Sequence, residues 1–408
     1  MTPTRPMVRL WIAALAALLA PAASRAQVAV KAKTVHTAAG APIEDGMVIF
    51  RDGKIAAVGK ASDLKVPEGF AVLEAAVVTP GLIDAHCVVG LAGYYNQVHD
   101  QDQIERSSPL QPELRAIDAY NPRERLVEWL RGFGITAIHT GHAPGELISG
   151  QTAVVKTAGD TVEAALVSQP AAIAATLGES AKKSDAKSPG TRGKMMALLR
   201  ARLIAAQEYS RKSAGPPDKR PDRDLGLEAL ARLLTGEVPL LVTAQRAQDI
   251  SNALRIADEF HLKLILDGAA EADLVLPAIK ASGFPVILHA SMARKTGELE
   301  SGSFETAAKL RKADVRFALQ SGYESYVPKT RVVLFEAAIA ASNGLSFEQA
   351  LAAVTIDAAR ILRVDGRIGS LEIGKDGDAA LYDGDPFEYT THCIGVVIDG
   401  KVVSTAVR

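Results

Sequence analysis

Between residues 135 and 319 the chain repeats one pattern: a short, largely apolar run, then a stretch with helical spacing. The runs are Ile135-Thr136-Ala137-Ile138, Ala153-Val154-Val155, Leu240-Leu241-Val242, Leu264-Ile265-Leu266, Pro285-Val286-Ile287-Leu288 and Val315-Arg316-Phe317-Ala318-Leu319. Helical stretches are expected over 123–131, 194–212 and 247–260, the last with Ile250, Leu254, Ala257 and Phe260 on one face. Strands apolar on both faces must be buried on both sides, which implies a mainly parallel sheet covered by helices. Residues 80–363, roughly 280 of them, match the size of a (β/α)8 TIM-like barrel. An open doubly wound sheet competes, but no Gly-rich phosphate loop follows the first strand.

The two ends have another texture. From Val28 to Val78, β-rich runs alternate with turn signals, including a hairpin around Asp52-Gly53. That texture returns only after residue 363, at Asp378-Ala379-Ala380-Leu381-Tyr382 and around Asp399-Gly400. The fold class expected is therefore α/β, with residues 27–79 and 364–408 combining into a small β-sandwich domain beside the barrel of 80–363. Residues 178–193 and 213–224 read as solvated surface loops.

Residues 1–26 place Arg5 and Arg9 before an apolar run, Leu10 to Leu19, with Ser24 and Ala26 just before Gln27. This is the order of a secretory signal peptide, and the run is shorter than the ~20 residues of a membrane span. The mature chain is expected to be exported, periplasmic or extracellular, with no span after cleavage. A formal net charge of −1 and 5% aromatic residues give no footprint for nucleic acid. The only cysteines, Cys87 and Cys393, are expected to be free, buried thiols, although an oxidising compartment allows one disulfide.

The most informative stretch chemically is Pro80-Gly81-Leu82-Ile83-Asp84-Ala85-His86-Cys87-Val88. It reads as a buried strand ending in a histidine. A strand sends residues i and i+2 to one face, so His-x-His at such an end aims two imidazoles at one ion; here the second position is Val88. Other polar residues fall near predicted strand ends: His139, His142, Lys156, Asp267 and His289. Barrel enzymes place their active residues at that rim, so these five and His86 are the pocket candidates.

Taken with Asp52-Gly53-Lys54-Ile55-Ala56-Ala57-Val58-Gly59, Ala353 to Leu362, Gly369 to Asp378, Ser149 to Val155 and Thr191-Arg192-Gly193, the stretch through His86 resembles the amidohydrolase superfamily. The likeness is to its exported imidazolonepropionase- and prolidase-like members. It implies a barrel holding one or two divalent ions: His-x-His after strand 1, a carboxylated Lys or a Glu near strand 4, a His after each of strands 5 and 6, and an Asp after strand 8. The ion would turn bound water into hydroxide, and the Asp would shuttle its proton.

Only His86 matches that set. Thr243-Ala244-Gln245, Asp267-Gly268 and Gln320-Ser321 stand where other ligands would fall, and neither hydroxyl nor amide competes with imidazole for zinc. The reading favoured by sequence is a non-catalytic, pseudoenzyme barrel with no cofactor. It would bind a small polar ligand or associate with an active relative or a second copy. The alternative is an active metal-dependent hydrolase of amide, cyclic amide or dipeptide C–N bonds, with zinc or another divalent ion on a site rebuilt from His86, His139, His142 and His289. Metal-free acid–base chemistry through Asp267 and a histidine is a third reading, without a supporting motif.

Overall fold

The computed structural model describes residues 27–184, 188–323 and 331–408; the candidate signal peptide, 1–26, lies outside them. Four strands open the chain: β1 (Gln27–Val35), β2 (Ile43–Arg51), β3 (Lys54–Lys60) and β4 (Ala71–Pro80). The central strands are β5 (Leu82–Cys87), β6 (Ile135–Thr140), β7 (Ile148–Gln151), β8 (Ala153–Lys156), β9 (Leu166–Ser168), β10 (Ile173–Thr176), β11 (Leu240–Ala244), β12 (Leu264–Gly268), β13 (Val286–Leu288) and β14 (Phe317–Leu319). Three close it: β15 (Ala379–Tyr382), β16 (Cys393–Ile398) and β17 (Lys401–Ser404).

Strands from both ends form one sheet, ordered β17-β16-β15-β4-β1-β2-β3. Its first and last parts join where β15 runs antiparallel to β4, pairing Ala379 with Pro80 and Leu381 with Val78. Side chains alternate across the pleat. Val28, Val30, Val48, Phe50, Val78 and Leu381 share one buried cluster, whereas Ala29, Met47 and Ile49 pack with Leu64, Val66 and Phe70 on the other face. Hydrogen bonding thus joins the described terminal strands into one seven-stranded sheet with a buried cluster on each face.

The middle is an α/β arrangement of two sheets. Strands β10 to β14 run parallel in order, with β7 antiparallel at the β10 edge. In the second sheet β5 and β6 are parallel, and β8 and β9 follow antiparallel. No single closed ladder runs through the described strands. The two arcs meet at a parallel bridge between Cys87 and Gly322, and at Thr152, whose N–H donates to Ala172 O (2.9 Å) while its carbonyl accepts from Ala171 N (2.9 Å).

Alternation along these strands divides the core. Ile83, Ala137, Val154, Leu241, Ile265, Ile287 and Ala318 meet in one cluster, plugged by Ile361, Leu362 and Ile368. Their neighbours Leu240, Val242, Leu264, Leu266, Phe317 and Leu319 face the surrounding helices instead. Both cysteines are free and buried. No helix among the described residues is long and apolar enough to cross a membrane.

Candidate functional site

The alternation that buries Leu241, Ile265, Ile287 and Ala318 also fixes what lies one pleat further along each strand. Two residues on stand Thr243, Asp267, His289 and Gln320, and Ala137 leads likewise to His139. Strand β5 reaches this layer by a different route. Its register against β6 shifts between Asp84 and Cys87, and a bulge re-aims the side chains beyond it. His86 therefore joins the inner layer, and Cys87 packs with the outer cluster.

Asp267 is the hub. Its Oδ1 accepts from His86 Nδ1 (3.0 Å) and Gln320 Nε2 (2.8 Å), and its Oδ2 from Thr243 Oγ1 (2.5 Å). All four residues are buried. Burial alone would raise the Asp267 carboxyl, but the His86 charge and these three hydrogen bonds outweigh it and hold the group below its usual range. His86 is thus fixed with Nδ1 donating, and its Nε2 has no partner. Beside it Asp84, with no solvent contact, accepts from Ser321 N (3.0 Å) and from Ser321 Oγ, and burial raises it to about 6.

The other sequence candidates divide. His139 lies 5.5 Å from His86, ring to ring. Its Nδ1 donates to Ala85 O (2.7 Å), so its Nε2 accepts from Thr152 Oγ1 (2.7 Å), and burial lowers it to about 3. Both lone positions of a neutral imidazole are used. His142 packs against Gly150, where an added Cβ would fall 2.5 Å from the ring, and burial lowers it to about 4. His289 Nδ1 pairs with Ala290 O (3.0 Å), leaving Nε2 without a partner.

Lys156 is at the opposite rim. It ends β8, but β8 runs antiparallel to β6 and pairs Lys156 with Ala137, while Val154 pairs with His139. The strand's C-terminal end therefore points away from the His86 layer. There Lys156 Nζ meets Asp376 (2.9 Å), Asp378 (3.1 Å) and Asp399 of the terminal sheet. Burial works against its charge, yet Asp378 and Asp399 hold the ammonium above its ordinary range.

Above the Asp267 network Gln245 Nε2 donates to Tyr323 Oη (2.9 Å), and the Tyr323 ring stands 5.4 Å from that of His86. Outside them opens a cavity of about 660 Å³, lined by Thr243, Gln245, Arg192, Arg246 and the loop Thr296–Leu299.

This geometry can be set beside known proteins. Residues 308–404 match the model of an amidohydrolase family. The crystal structure of an amidohydrolase from Thermotoga maritima superposes with a TM-score of 0.87 at 28% identity, covering 93% of this chain and all of that one. The imidazolonepropionase of Sphingopyxis alaskensis is 25% identical over 85% of this chain and 88% of its own length. These likenesses support placing the chain in the amidohydrolase superfamily. Amidohydrolase tasK of Hapsidospora irregularis is 24% identical over 88% of this chain, which spans 39% of that longer protein.

Amidohydrolases typically bind zinc or other metals, so the layer must be tested as a metal centre. Among the described residues no group of three or more His, Cys, Asp and Glu side chains is arranged to hold an ion. His139 has both nitrogens engaged and Asp267 accepts three hydrogen bonds; the imidazole nitrogens left without a partner, His86 Nε2, His289 Nε2 and both of His142, are not gathered into one group of ligands. Thr243 and Gln320, which complete the ring, are poor ligands next to imidazole. The donor set does not fit the metal of this superfamily.

Sequence reasoning passed over Thr243 and Gln320 as non-ligands, and Asp84, Thr152 and Tyr323 altogether. Strand phase was the available signal for the first two: each lies two residues beyond an apolar, inward position.

Proposed function

We propose that this protein is a ligand-binding amidohydrolase without hydrolytic activity, its two central sheets serving as one barrel-like core around the His86 layer. The carrying observation is that His86, Thr243, Asp267 and Gln320, from four strands, bond to one another through a single carboxylate. Thr243 and Gln320 spend their donors on Asp267, a hydroxyl and an amide compete poorly with imidazole for a metal, and within this group of four only His86 keeps an imidazole nitrogen without a partner. Amide hydrolysis without a metal-activated hydroxide forgoes several kcal/mol of transition-state stabilisation. What the fold retains is the rim cavity, whose volume falls within the usual ~300–1,000 Å³ of small-molecule sites. The signal-like pattern of residues 1–26 makes an exported location part of the same proposal.

A thermal-shift screen against dipeptides and cyclic amides, followed by product analysis of every hit, tests this. Ligand at ~100 times its Kd should add about 2.7 kcal/mol of stability, with no cleavage on prolonged incubation. Turnover of any hit would refute the non-hydrolytic assignment.

One observation favours a second reading. The unpartnered Nε2 atoms of His86 and His289 are what a rebuilt metal site would use. In that case an added divalent ion would induce hydrolysis, and His289→Ala would abolish it.

A further inference from the structure

At the mouth of the cavity a loop carboxylate sits in a ready-made anion site. Arg192 opens the helix Arg192–Ser213, and its guanidinium is held flat by the buried Asp249 through Nε (2.8 Å) and Nη2 (2.9 Å). Nη2 also reaches Glu298 Oε1 (3.2 Å), and that oxygen accepts the backbone N–H of Glu179 (2.8 Å). Gly178, at φ +117°, lets the backbone come this close: a Cβ there would stand 2.6 Å from Glu298 Oε1. A fixed guanidinium, an inward N–H and a glycine cradle together make an oxyanion seat.

Its occupant is weakly anchored. Glu298 belongs to the loop forming one wall of the cavity. That loop is tied down by Arg246, through Glu300 Oε1 (2.8 Å) and the Gly297 carbonyl (3.4 Å), and the Arg246–Glu300 pair is over a third exposed on both sides. Exposed pairs hold little free energy, so beyond Ser301 Oγ on Glu271 Oε1 (3.1 Å) the main bond to break on displacing the loop is the Glu298 contact that an incoming carboxylate would replace.

Resting on the ligand-binding reading above, we propose that the cavity's ligand carries a carboxylate, which takes the place of Glu298 on Arg192 and the Glu179 N–H. Glu298 is then an internal competitor that sets the affinity of the site.

Calorimetric titration with N-acetylglycine and with its uncharged counterpart N-acetylglycinamide tests the assignment. Glu298→Ala should bind the acid at least about tenfold tighter than the wild type, a difference of about 1.4 kcal/mol, and bind the amide no better. Glu298→Gln, which keeps an acceptor for the Glu179 N–H, should fall between them. Combining Glu298→Ala with Arg192→Lys keeps a cation beside Asp249 while removing the planar fork, and should erase the gain. Equal gains for acid and amide would overturn the proposal, as would no gain for the acid, or a gain that survives Arg192→Lys. Each of these leaves the ligand-binding reading standing, since that reading fails on catalytic turnover instead.

Discussion

At the scale of single residues, the site is organised by what Asp267 must satisfy. A buried carboxylate needs partners for its charge and its lone pairs, and His86, Thr243 and Gln320 supply them. Asp267→Ala leaves three buried groups unpaired and should cost ~3–5 kcal/mol in urea unfolding. Thr243→Val removes one of three bonds and should cost about 1–3 kcal/mol. Equal losses for the two variants would contradict the hub. The sequence showed histidines and an aspartate at strand ends, and the chemistry of their types made them visible. Thr243 and Gln320 read only as missing ligands, because a hydroxyl or an amide carries no motif and gains meaning only beside the carboxylate it faces. Lys156 was misassigned for a different reason: residue type and strand end were right, but the direction of β8 is a tertiary fact.

Among the elements, the helix Val333–Ser342 controls how β13 leaves the layer. Its Glu336 accepts from the backbone N–H groups of Ser291 and Met292, just past His289. Burial raises this carboxyl to about 7, outweighing the two backbone bonds that favour its charge. A carboxyl raised on folding contributes stability that is complete below its unfolded value, near 4.5, and is lost as pH rises through about 7. Glu336→Gln does not titrate. The wild type's advantage in Tm over that variant should therefore be largest near pH 4.5 and shrink by pH 8; an advantage growing with pH would contradict this. Strands were legible where Val, Ile and Leu cluster, as in β11, β12 and β13. The alanine-rich Ile173-Ala174-Ala175-Thr176 of β10 was not, since alanine favours helix and only pairing with β11 makes it a strand.

For the whole molecule, the C-terminal part of the terminal sheet is fastened to the core by Lys156 and its three carboxylates. Lys156→Met should cost ~3–5 kcal/mol, because Asp378 remains buried without its cation while Asp376 keeps Lys54 and Arg367, and should loosen β15 to β17 first in hydrogen exchange. Uniform exchange would mean the sheet and core do not separate there. The joining of the two ends was readable from their shared texture of short strands and Gly turns. Which strands pair was not, because the β4–β15 pairing links residues about 300 apart and has no local signal.

Zinc titration of metal-stripped protein tests the central claim most directly, with bound ion counted by mass spectrometry. Side chains committed to one another at the His86 layer predict less than about a tenth of an equivalent retained per chain. Close to one equivalent, bound tightly and lost on His86→Ala, would contradict it.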